Sequence, residues 1–262
     1  MNDIFENISS SRSTHNIALC TIVSSKGSTP RKVGAKMIVY ENGTISGTIG
    51  GGELEKSVIK DALVQLKKKE PKIFRHDLLH QHNMCCGGTV EIFIEPIMKK
   101  NKLYIFGVGH TGLALAKYAV DFDFEVVVID DRKEYIDSCA VEGINKMNLP
   151  YQQALPLLPF DENTFICIMT YSHPLDRDIL AFCLKKPFAY LGMIGSIRKV
   201  EMTKKMFVDA GVGTEDDLKH VDMPMGIDIE AEGPGEIAIS ILSKLISVKN
   251  KYINSQKPTS TL

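Results

Sequence analysis

The sequence predicts an α/β protein with a smaller N-terminal α+β domain and a C-terminal Rossmann-type domain built on a doubly wound parallel sheet. From Lys102 onward, apolar runs typical of strands alternate with amphipathic runs typical of helices. The first of these strands enters a glycine-rich turn that opens a helix. The part before Lys102 lacks this alternation and groups short strands around one helix. We therefore assign residues 1–98 to the N-terminal domain, 99–254 to the Rossmann-type domain and 255–262 to a polar, disordered tail.

The N-terminal domain is predicted to contain short strands and a single helix. Runs rich in β-branched and apolar residues predict strands at 17–24, 35–40, 44–50, 72–77 and 89–95. Asn42 and Gly43 predict a hairpin turn, because these residues tolerate the positive φ that such turns require. Apolar residues four apart, beginning with Leu54 and Val58, predict an amphipathic helix at 53–69. The polar segment 96–101 is expected to be a linker.

The C-terminal domain is predicted to alternate between strand and helix. Strands are expected at 103–109, 125–131, 164–170 and 188–195. Helices are expected at 110–122, 175–185 and 196–210, and a last one begins at Pro234. The apolar runs are unbroken, as in strands that are covered on both faces. Parallel sheets of this kind bind ligands at the carboxyl ends of their strands.

Composition and charge exclude several classes of protein. The formal net charge is -1, so the chain has no strong basic field for nucleic acid or an acidic membrane surface. No stretch reaches the ~18 apolar residues that a membrane span needs. Residues 1–14 lack the apolar core of a signal peptide. We therefore expect a cytoplasmic protein that binds neither nucleic acid nor membrane and keeps its cysteines as thiols.

The turn Gly107-x-Gly109-x-x-Gly112 is the strongest functional motif. It follows a predicted strand and opens a predicted helix. The next predicted strand ends in two acids and a base: Asp130, Asp131 and Arg132. Glycines let a backbone approach a pyrophosphate, the free amides of a helix N-terminus stabilise its charge, and an acidic residue can accept from ribose hydroxyls. This context favours a dinucleotide-like, phosphate-bearing ligand over a domain that has lost its ligand.

A second candidate site follows the last predicted strand. Its residues are Gly192, Gly195, Ser196, Arg198 and Lys199. Ser196 can cap the next helix, and the two basic side chains can bind a phosphate or a carboxylate. The alternative is a helix cap whose basic residues are only solvated, and both interpretations stay open.

Two loops of the N-terminal domain are candidates for anion contacts. One runs into the predicted helix and contains Gly50, Gly51, Gly52 and Glu53. Its amides can form a nest that cradles an anion. In the other loop, Ser28 leaves room for a ligand and Arg31 offers a bidentate donor. Either loop could instead be a turn that serves packing.

Cys86 and His173 are the candidate catalytic residues. Cys86 lies with Cys85 in a glycine-rich loop, where nearby amides can activate a thiol or let it bind a metal. A protein-only zinc site is not expected there, because adjacent cysteines are poor partners on one tetrahedron. His173 follows a predicted buried strand, where it is either an acid–base group or an ordinary loop histidine.

In their order along the chain, these segments resemble the XdhC/CoxI (CoxF) family, accessory proteins of molybdenum hydroxylases such as xanthine dehydrogenase. The resemblance covers nearly the whole chain. It is carried by TIVSSKGSTPRKVGAKMIV and GTIGGGELE within 17–55, by CGG and EP within 85–96, by FGVGHTGLALA and VVVIDDR within 103–132, and by the later YLGMIGSIRK and GPGEIAISI.

The resemblance implies that the protein binds the molybdenum cofactor, as molybdopterin or its dinucleotide form. It implies protection of the cofactor, help in its sulfuration and insertion into a molybdenum hydroxylase of the xanthine dehydrogenase type. A cysteine desulfurase partner and a homodimer are implied as well. Cys86 matches the family cysteine, which makes it the implied contact to the cofactor and to molybdenum, while Cys85 is extra. The run Tyr171-Ser172-His173 departs from the His-Asp-His that the family carries at this point.

Two other functions suit the same fold. One is an NAD-dependent oxidoreductase, in which Asp130 and Asp131 would favour NAD over NADP by repelling a 2′-phosphate. Only His173 offers itself as a partner for hydride transfer. The other is a regulatory protein that senses a nucleotide. The chain is expected to be a chaperone without turnover of its own, with the NAD-dependent enzyme as the alternative.

Overall fold

The computed structural model describes residues 4–12, 14–81 and 87–255, the last four of them by backbone only. The chain divides into two compact units, and the division falls between Lys100 and Asn101. The second unit extends from Asn101 to Asn254. The sequence boundary between 98 and 99 lies two residues away, and the predicted disordered tail is outside the described residues except for Ser255.

The N-terminal unit is an antiparallel sheet that carries one long helix. Its helices are α1 (Ile4–Ser11) and α2 (Gly52–Lys68), and its strands are β1 (Ile17–Lys26), β2 (Lys36–Tyr40), β3 (Ile45–Gly47), β4 (Lys72–Asp77) and β5 (Thr89–Ile97). The strand order is β3-β2-β1-β5-β4. The predicted apolar face of α2, including Leu54 and Val58, is buried against Cys20 and Ile92 of the sheet. Gly43 has the positive φ of 83° expected for the hairpin turn.

Two boundaries of this unit differ from the sequence prediction. β3 ends at Gly47, whose φ is 82° and where a Cβ would lie 2.7 Å from the carbonyl oxygen of Lys36. β5 continues through Pro96 into the predicted linker and pairs it with Ala18. Proline is tolerated there because the pairing of β5 with β4 ends at Ile94, which leaves that side of Pro96 without a ladder partner.

The C-terminal unit is a six-stranded parallel sheet with helices on both faces. Its strands are β6 (Asn101–Phe106), β7 (Phe124–Ile129), β8 (Asn145–Met147), β9 (Thr164–Ile168), β10 (Tyr190–Met193) and β11 (Val221–Asp222). Its helices are α3 (His110–Ala119), α4 (Lys133–Ser138), α5 (Tyr151–Ala154), α6 (His173–Cys183), α7 (Ile197–Asp209), α8 (Glu215–Lys219) and α9 (Pro234–Ser255). The order β11-β10-β9-β6-β7-β8 is the Rossmann order, with its switch point between β6 and β9.

The central strand β6 shows why its sequence is apolar without interruption. Leu103 and Ile105 belong to one buried cluster, which also contains residues of α3 and α9. Tyr104 and Phe106 belong to another, which contains residues of α6 and α7. Both faces of the strand are therefore covered, as the sequence predicts.

Three cysteines, two in the sheets and one at the end of α6, are core residues. Cys20, Cys167 and Cys183 are fully buried. Burial raises the pKa of Cys20 and of Cys183 to about 12, so neither thiol ionises at neutral pH. These three cysteines therefore serve packing.

The sequence predicted a single helix for the N-terminal unit and missed α1 (Ile4–Ser11), and it also missed several shorter elements. They include the edge strands β8 and β11 and the helices α4, α5 and α8. A segment of two to six residues contains too few positions to display a period. Within the described part of the chain, no helix is both long and apolar enough to cross a membrane.

Candidate functional site

The three glycines of the turn after β6 have different surroundings. A Cβ on Gly107, whose φ is 102°, would lie 2.4 Å from the carbonyl oxygen of Met169. A Cβ on Gly112 would lie 2.0 Å from the carbonyl oxygen of Gly107. A Cβ on Gly109 would meet no atom within 4 Å. The outer glycines thus permit the tight turn and the close packing of α3, whereas Gly109 faces open space.

The N-terminus of α3 lies at this open space. Gly109 is its N-cap residue and provides no side chain to accept from the first-turn amides, which begin with His110. Amides and a helix dipole directed at an open edge form a ready site for an anion. The geometry at Gly109 therefore fits the close approach of a phosphate or pyrophosphate.

Asp130 does not have the role that the sequence suggested. It is fully buried, and its Oδ2 accepts from the amide of Val108 at 2.8 Å and from Nη2 of Arg132 at 2.8 Å. Its Oδ1 accepts from the amide and from Nε of Arg132 at 3.0 and 2.9 Å. Both oxygens are occupied within the protein, so Asp130 braces the glycine turn and is not free to accept from a ribose.

Electrostatics agree with this bracing role. Burial by itself would raise the pKa of Asp130, but the hydrogen bonds from Arg132 and Val108 outweigh it and hold the pKa below its ordinary value. The guanidinium carbon of Arg132 lies 3.7 Å from the ring centre of Tyr135 and 4.5 Å from that of Tyr171. Arg132 is thus fixed between two rings and a carboxylate, and the structure gives this predicted cofactor contact an internal role.

Unlike Asp130, Asp131 keeps one carboxylate oxygen that accepts no hydrogen bond from the described residues. The hydroxyl of Tyr171 donates to its Oδ2 at 3.0 Å. Its Oδ1 is buried and accepts no hydrogen bond from the described residues. Tyr171 follows β9 and Asp131 follows β7, so this bond passes across the carboxyl end of β6, where the glycine turn lies. The bond spans the crevice in which such sheets bind dinucleotides.

The structure brings His173 together with part of the second predicted site. His173 begins α6, and Ser196, Arg198 and Lys199 lie at the start of α7. All four line one cavity of about 520 Å³ at the carboxyl ends of β9 and β10. Ser196 occupies the N-cap position as predicted, but its side chain makes no capping hydrogen bond.

The glycines of this segment are not equivalent. A Cβ on Gly192 would lie 2.5 Å from the hydroxyl of Tyr190 and 2.9 Å from Cβ of Met225. Gly192 is buried in the sheet and serves packing, which corrects its prediction as a ligand contact. Gly195 is half-buried, and a Cβ there would make only ordinary contacts with Val200 and Lys199.

His173 links a lysine to a buried carboxylate. Nζ of Lys199 lies 2.5 Å from its Nε2, and Oδ2 of Asp176 lies 3.3 Å from its Nδ1. Asp176 is 1% exposed, and its Oδ1 accepts from the amide and the hydroxyl of Thr170 at 2.9 and 2.7 Å. Burial raises the pKa of Asp176 despite the opposing hydrogen bonds from Thr170. Asp176 was not among the residues predicted from the sequence, although its spacing of three from His173 in a helix places both on one face.

The predicted anion nest of the N-terminal unit contains a carboxylate of the protein itself. Oε1 of Glu55 accepts from the amides of Ile49, Gly50 and Gly51 at 3.0, 3.3 and 2.9 Å. It also accepts from the hydroxyl of Thr48 at 2.6 Å. Burial opposes ionisation, but these bonds together lower the pKa of Glu55. The motif does form a nest, and the correction is that Glu55 fills it.

The two remaining members of that motif are exposed. Gly52 has a φ of 62° and open space beside it. Glu53 forms an ion pair with Lys56 at 2.7 Å on the surface of α2. Neither contacts the nest that Glu55 occupies.

The structure brings together the loops of the N-terminal unit in which candidates were predicted. Ser28 forms an isolated bridge with Gly87, and a Cβ on Gly88 would lie 2.4 Å from the carbonyl oxygen of Ser28. A Cβ on Gly50 would lie 2.5 Å from Cγ of Pro30. Ser28 and the neighbouring Arg31 are exposed on this patch. Cys86 precedes Gly87 in the chain and lies outside the described residues.

Family comparison adds to this geometry. Residues 103–245, more than half of the chain, match the model of the XdhC Rossmann domain. The chain belongs to the XdhC family. Residues 11–77 match the XdhC and CoxI family as well, so both units carry XdhC sequence features. The predicted family and fold class are confirmed.

Curated relatives of this XdhC-family chain are longer than it is. The uncharacterized protein YqeB of Escherichia coli (strain K12) is 32% identical over 239 residues, which make up 89% of this chain and 43% of that protein. A probable xanthine dehydrogenase subunit of Bacillus subtilis (strain 168) is 28% identical over 164 residues, 62% of this chain and 47% of that protein. The chain thus spans less than half the length of these relatives.

A solved structure shares the XdhC fold. The crystal structure of a xanthine dehydrogenase from Bacillus halodurans aligns with a TM-score of 0.53 and 22% sequence identity. The alignment covers 99% of this chain and 97% of the other. At this level of identity, the likeness shows the fold alone.

Proposed function

We propose that this XdhC-family protein is a chaperone that binds the molybdenum cofactor and delivers it to a molybdenum hydroxylase of the xanthine dehydrogenase type. The observation that carries the proposal is the open space at Gly109, in front of an α3 N-terminus without a side-chain cap. A cofactor with a phosphate, and above all its dinucleotide form with a pyrophosphate, matches this opening. The name of the Bacillus subtilis relative contributes the link to xanthine dehydrogenase.

The residues around the turn fit the nucleotide part of such a cofactor. The amides that begin at His110 would hold the phosphate, and Asp131 would accept from a ribose hydroxyl once Tyr171 releases it. Asp130 and Arg132 keep the turn in shape. The cofactor is cargo, so the chain's own residues bind and orient it, and a reversible bond over the crevice suits a protein that must also release what it holds.

The thiol of Cys86 is the proposed contact to molybdenum, because soft sulfur ligands suit this metal. The proposal includes protection of the cofactor and assistance in its sulfuration, with a cysteine desulfurase as partner and the protein acting as a homodimer. It rests on the resemblance of the CGG segment to the family cysteine. Replacing Cys86 with Ala should reduce cofactor loading, and the same change at Cys85 provides the matched control.

The main experiment isolates the protein from cells that make molybdopterin and measures molybdenum and the fluorescent pterin oxidation product per chain. Near-stoichiometric pterin is expected for the wild type. Gly109→Val should reduce it at least about tenfold by filling the open space, which corresponds to ~1.4 kcal/mol of binding free energy. Gly233→Ala is the control, because Gly233 also has open space beside it and needs no positive φ.

The other outcomes identify the alternatives. Bound nicotinamide that is reduced in the presence of a substrate would support an NAD-dependent oxidoreductase and overturn the proposal. Nucleotide binding without pterin that changes association with a partner would support the sensing protein. The internal engagement of Asp130 weighs against the oxidoreductase, since it removes one of the two acids predicted to hold the NAD ribose.

A further inference from the structure

The cavity between the starts of α6 and α7 is lined by residues other than those of the glycine turn. It opens at the carboxyl ends of β9 and β10, whereas the turn follows β6. Its volume of about 520 Å³ is within the range of small-molecule sites. The cofactor proposal makes no use of this cavity, so its lining requires a separate explanation.

The charges that line the cavity are mostly positive. The cavity is lined by Arg177, Arg198 and Lys199 and by one carboxylate, that of the buried Asp176. Within the described part of the chain, neither arginine forms an ion pair or a side-chain hydrogen bond. Basic groups that converge on a cavity without an internal partner form a site for an external anion.

The position of Lys199 is set from inside the fold. An ammonium group can only donate, so Nε2 of His173, which lies 2.5 Å from Nζ of Lys199, must accept. The proton of the neutral ring is then on Nδ1, which lies 3.3 Å from Oδ2 of Asp176. That oxygen is buried and otherwise without a hydrogen-bond partner among the described residues. His173 and Asp176 are therefore positioning residues that hold the charge of Lys199 at the cavity.

One wall of the cavity is apolar. Met193 and Ile194 line it from the end of β10, and Met202 lines it from α7. Met202 is 57% exposed. A bare inorganic anion would leave this wall unused, while a ligand with a small organic part would cover it.

We propose that this cavity is a second ligand site, which binds a small organic phosphate monoester. Lys199, Arg198 and Arg177 bind the phosphate, and Ile194 and Met202 contact the organic part. A tetrahedral dianion suits three converging cations better than a singly charged carboxylate does. The site does not depend on the proposed delivery of the molybdenum cofactor.

The test measures, by titration calorimetry, the binding of phenyl phosphate and of inorganic phosphate to the full-length protein. The protein carries Gly109→Val, so that the glycine turn cannot contribute. Saturable binding is expected, with phenyl phosphate about tenfold tighter because its ring covers the apolar wall. Lys199→Met and Arg198→Met should each weaken binding at least about tenfold. Lys204→Met is the matched control, because Lys204 is on the same helix, pairs with Glu201 and does not line the cavity.

The positioning role has its own readout. In protein labelled with ¹⁵N-histidine, the resonances that disappear in His173→Asn belong to His173. These resonances should show a proton on Nδ1. They should shift when phenyl phosphate binds to the protein with Lys199 intact, and they should not shift on its addition to Lys199→Met. A proton on Nε2 would overturn the proposed chain of contacts.

Two results would overturn the second site. One is phosphate binding to the Gly109→Val protein that is equally strong when Lys199→Met or Arg198→Met is added. The other is binding that appears only when Gly109 is intact, because the phosphate would then occupy the turn. The two proposals fail separately: normal pterin loading in Gly109→Val would contradict only the cofactor proposal, and phosphate binding that is unaffected by Lys199→Met and Arg198→Met would contradict only the second site.

Discussion

Tyr171 donates a hydrogen bond to Asp131 across the carboxyl end of β6. The bond joins the loops that follow β9 and β7, and it passes over the turn that contains Gly109. A ligand whose ribose is to reach Asp131 must replace the phenol as the donor. The contact therefore competes directly with the proposed cargo.

Tyr171→Phe tests this competition. The substitution removes the hydroxyl but keeps the ring that stacks on Arg132. We expect pterin loading to rise two- to fivefold, since a single hydrogen bond at an exposed side chain contributes about 0.5–1 kcal/mol. The free energy of unfolding should change by less than about 1 kcal/mol. Loading that stays the same or falls would show that Tyr171 does not compete with the cargo.

Asp130→Asn and Asp131→Asn separate the structural acid from the proposed ligand-binding acid. Asn at 130 would direct an amide donor at Val108 or Arg132, so we expect a loss of about 2–4 kcal/mol in the free energy of unfolding. Asn at 131 should cost under about 1 kcal/mol and should lower cofactor loading instead. Urea denaturation and pterin content measure the two effects. Equal destabilisation by both substitutions would contradict the assignment.

The effect of Asp130 should depend on pH in one direction. Its folded-state pKa is lowered, so its contribution is complete above the unfolded value of about 3.9 and is lost as pH falls through the folded value. The difference in stability between wild type and Asp130→Asn should therefore be constant near neutral pH and should shrink below about pH 4. A difference that grew with acid would contradict the lowered pKa.

The different roles of Asp130 and Asp131 could not be predicted from the sequence. The glycine spacing and the strand before it predicted the turn and the helix that follows it, and the acids after β7 lie beside that turn. Which acid braces the turn depends on the amide of Val108, which is 22 residues away in the chain and is brought close by the pairing of β6 with β7. No local pattern around Asp130 reveals that contact.

The contact between His173 and Lys199 in the cavity between α6 and α7, by contrast, could have been inferred from the predicted fold class. His173 and Lys199 are 26 residues apart and were predicted as members of separate candidates. Because β9 and β10 are adjacent and parallel, the helices that follow them begin side by side. The fold class alone thus contained the information that joins them. The edge strand β11, with only Val221 and Asp222, had no pattern to detect.

Glu55→Gln tests the nest at the start of α2. The carboxylate accepts three amides and one hydroxyl, and removal of its charge should lower the free energy of unfolding by about 1–2 kcal/mol at neutral pH. Because the pKa of Glu55 is lowered, the difference from wild type should vanish as pH falls through that value, below about 4. Glu53→Gln is the control, since Glu53 is exposed and pairs with Lys56 at the surface of α2. Equal effects of the two changes would rule out the nest as a stabilising feature.

Glu55→Ala tests whether an added anion can replace the Glu55 carboxylate in the nest. It vacates the nest formed by the amides of Gly50 and Gly51 and leaves three free donors. Acetate or phosphate should then restore part of the lost thermal stability, while neither should stabilise the wild type. Absence of rescue at concentrations up to about 100 mM would indicate that the loop rearranges once the carboxylate is gone.

Gly112→Ala and Gly109→Ala separate packing from ligand approach within one turn. A Cβ on Gly112 would lie 2.0 Å from the carbonyl oxygen of Gly107, so α3 must move away from the turn and we expect a loss of about 3 kcal/mol. Gly109 has a φ of -69° and nothing within 4 Å, so Ala there should leave stability unchanged or raise it by about 0.5 kcal/mol. Its effect should appear in pterin loading alone, because the methyl group takes the space that a phosphate needs. A destabilised Gly109→Ala protein, or one that loads pterin normally, would remove the open turn as the basis of cofactor binding.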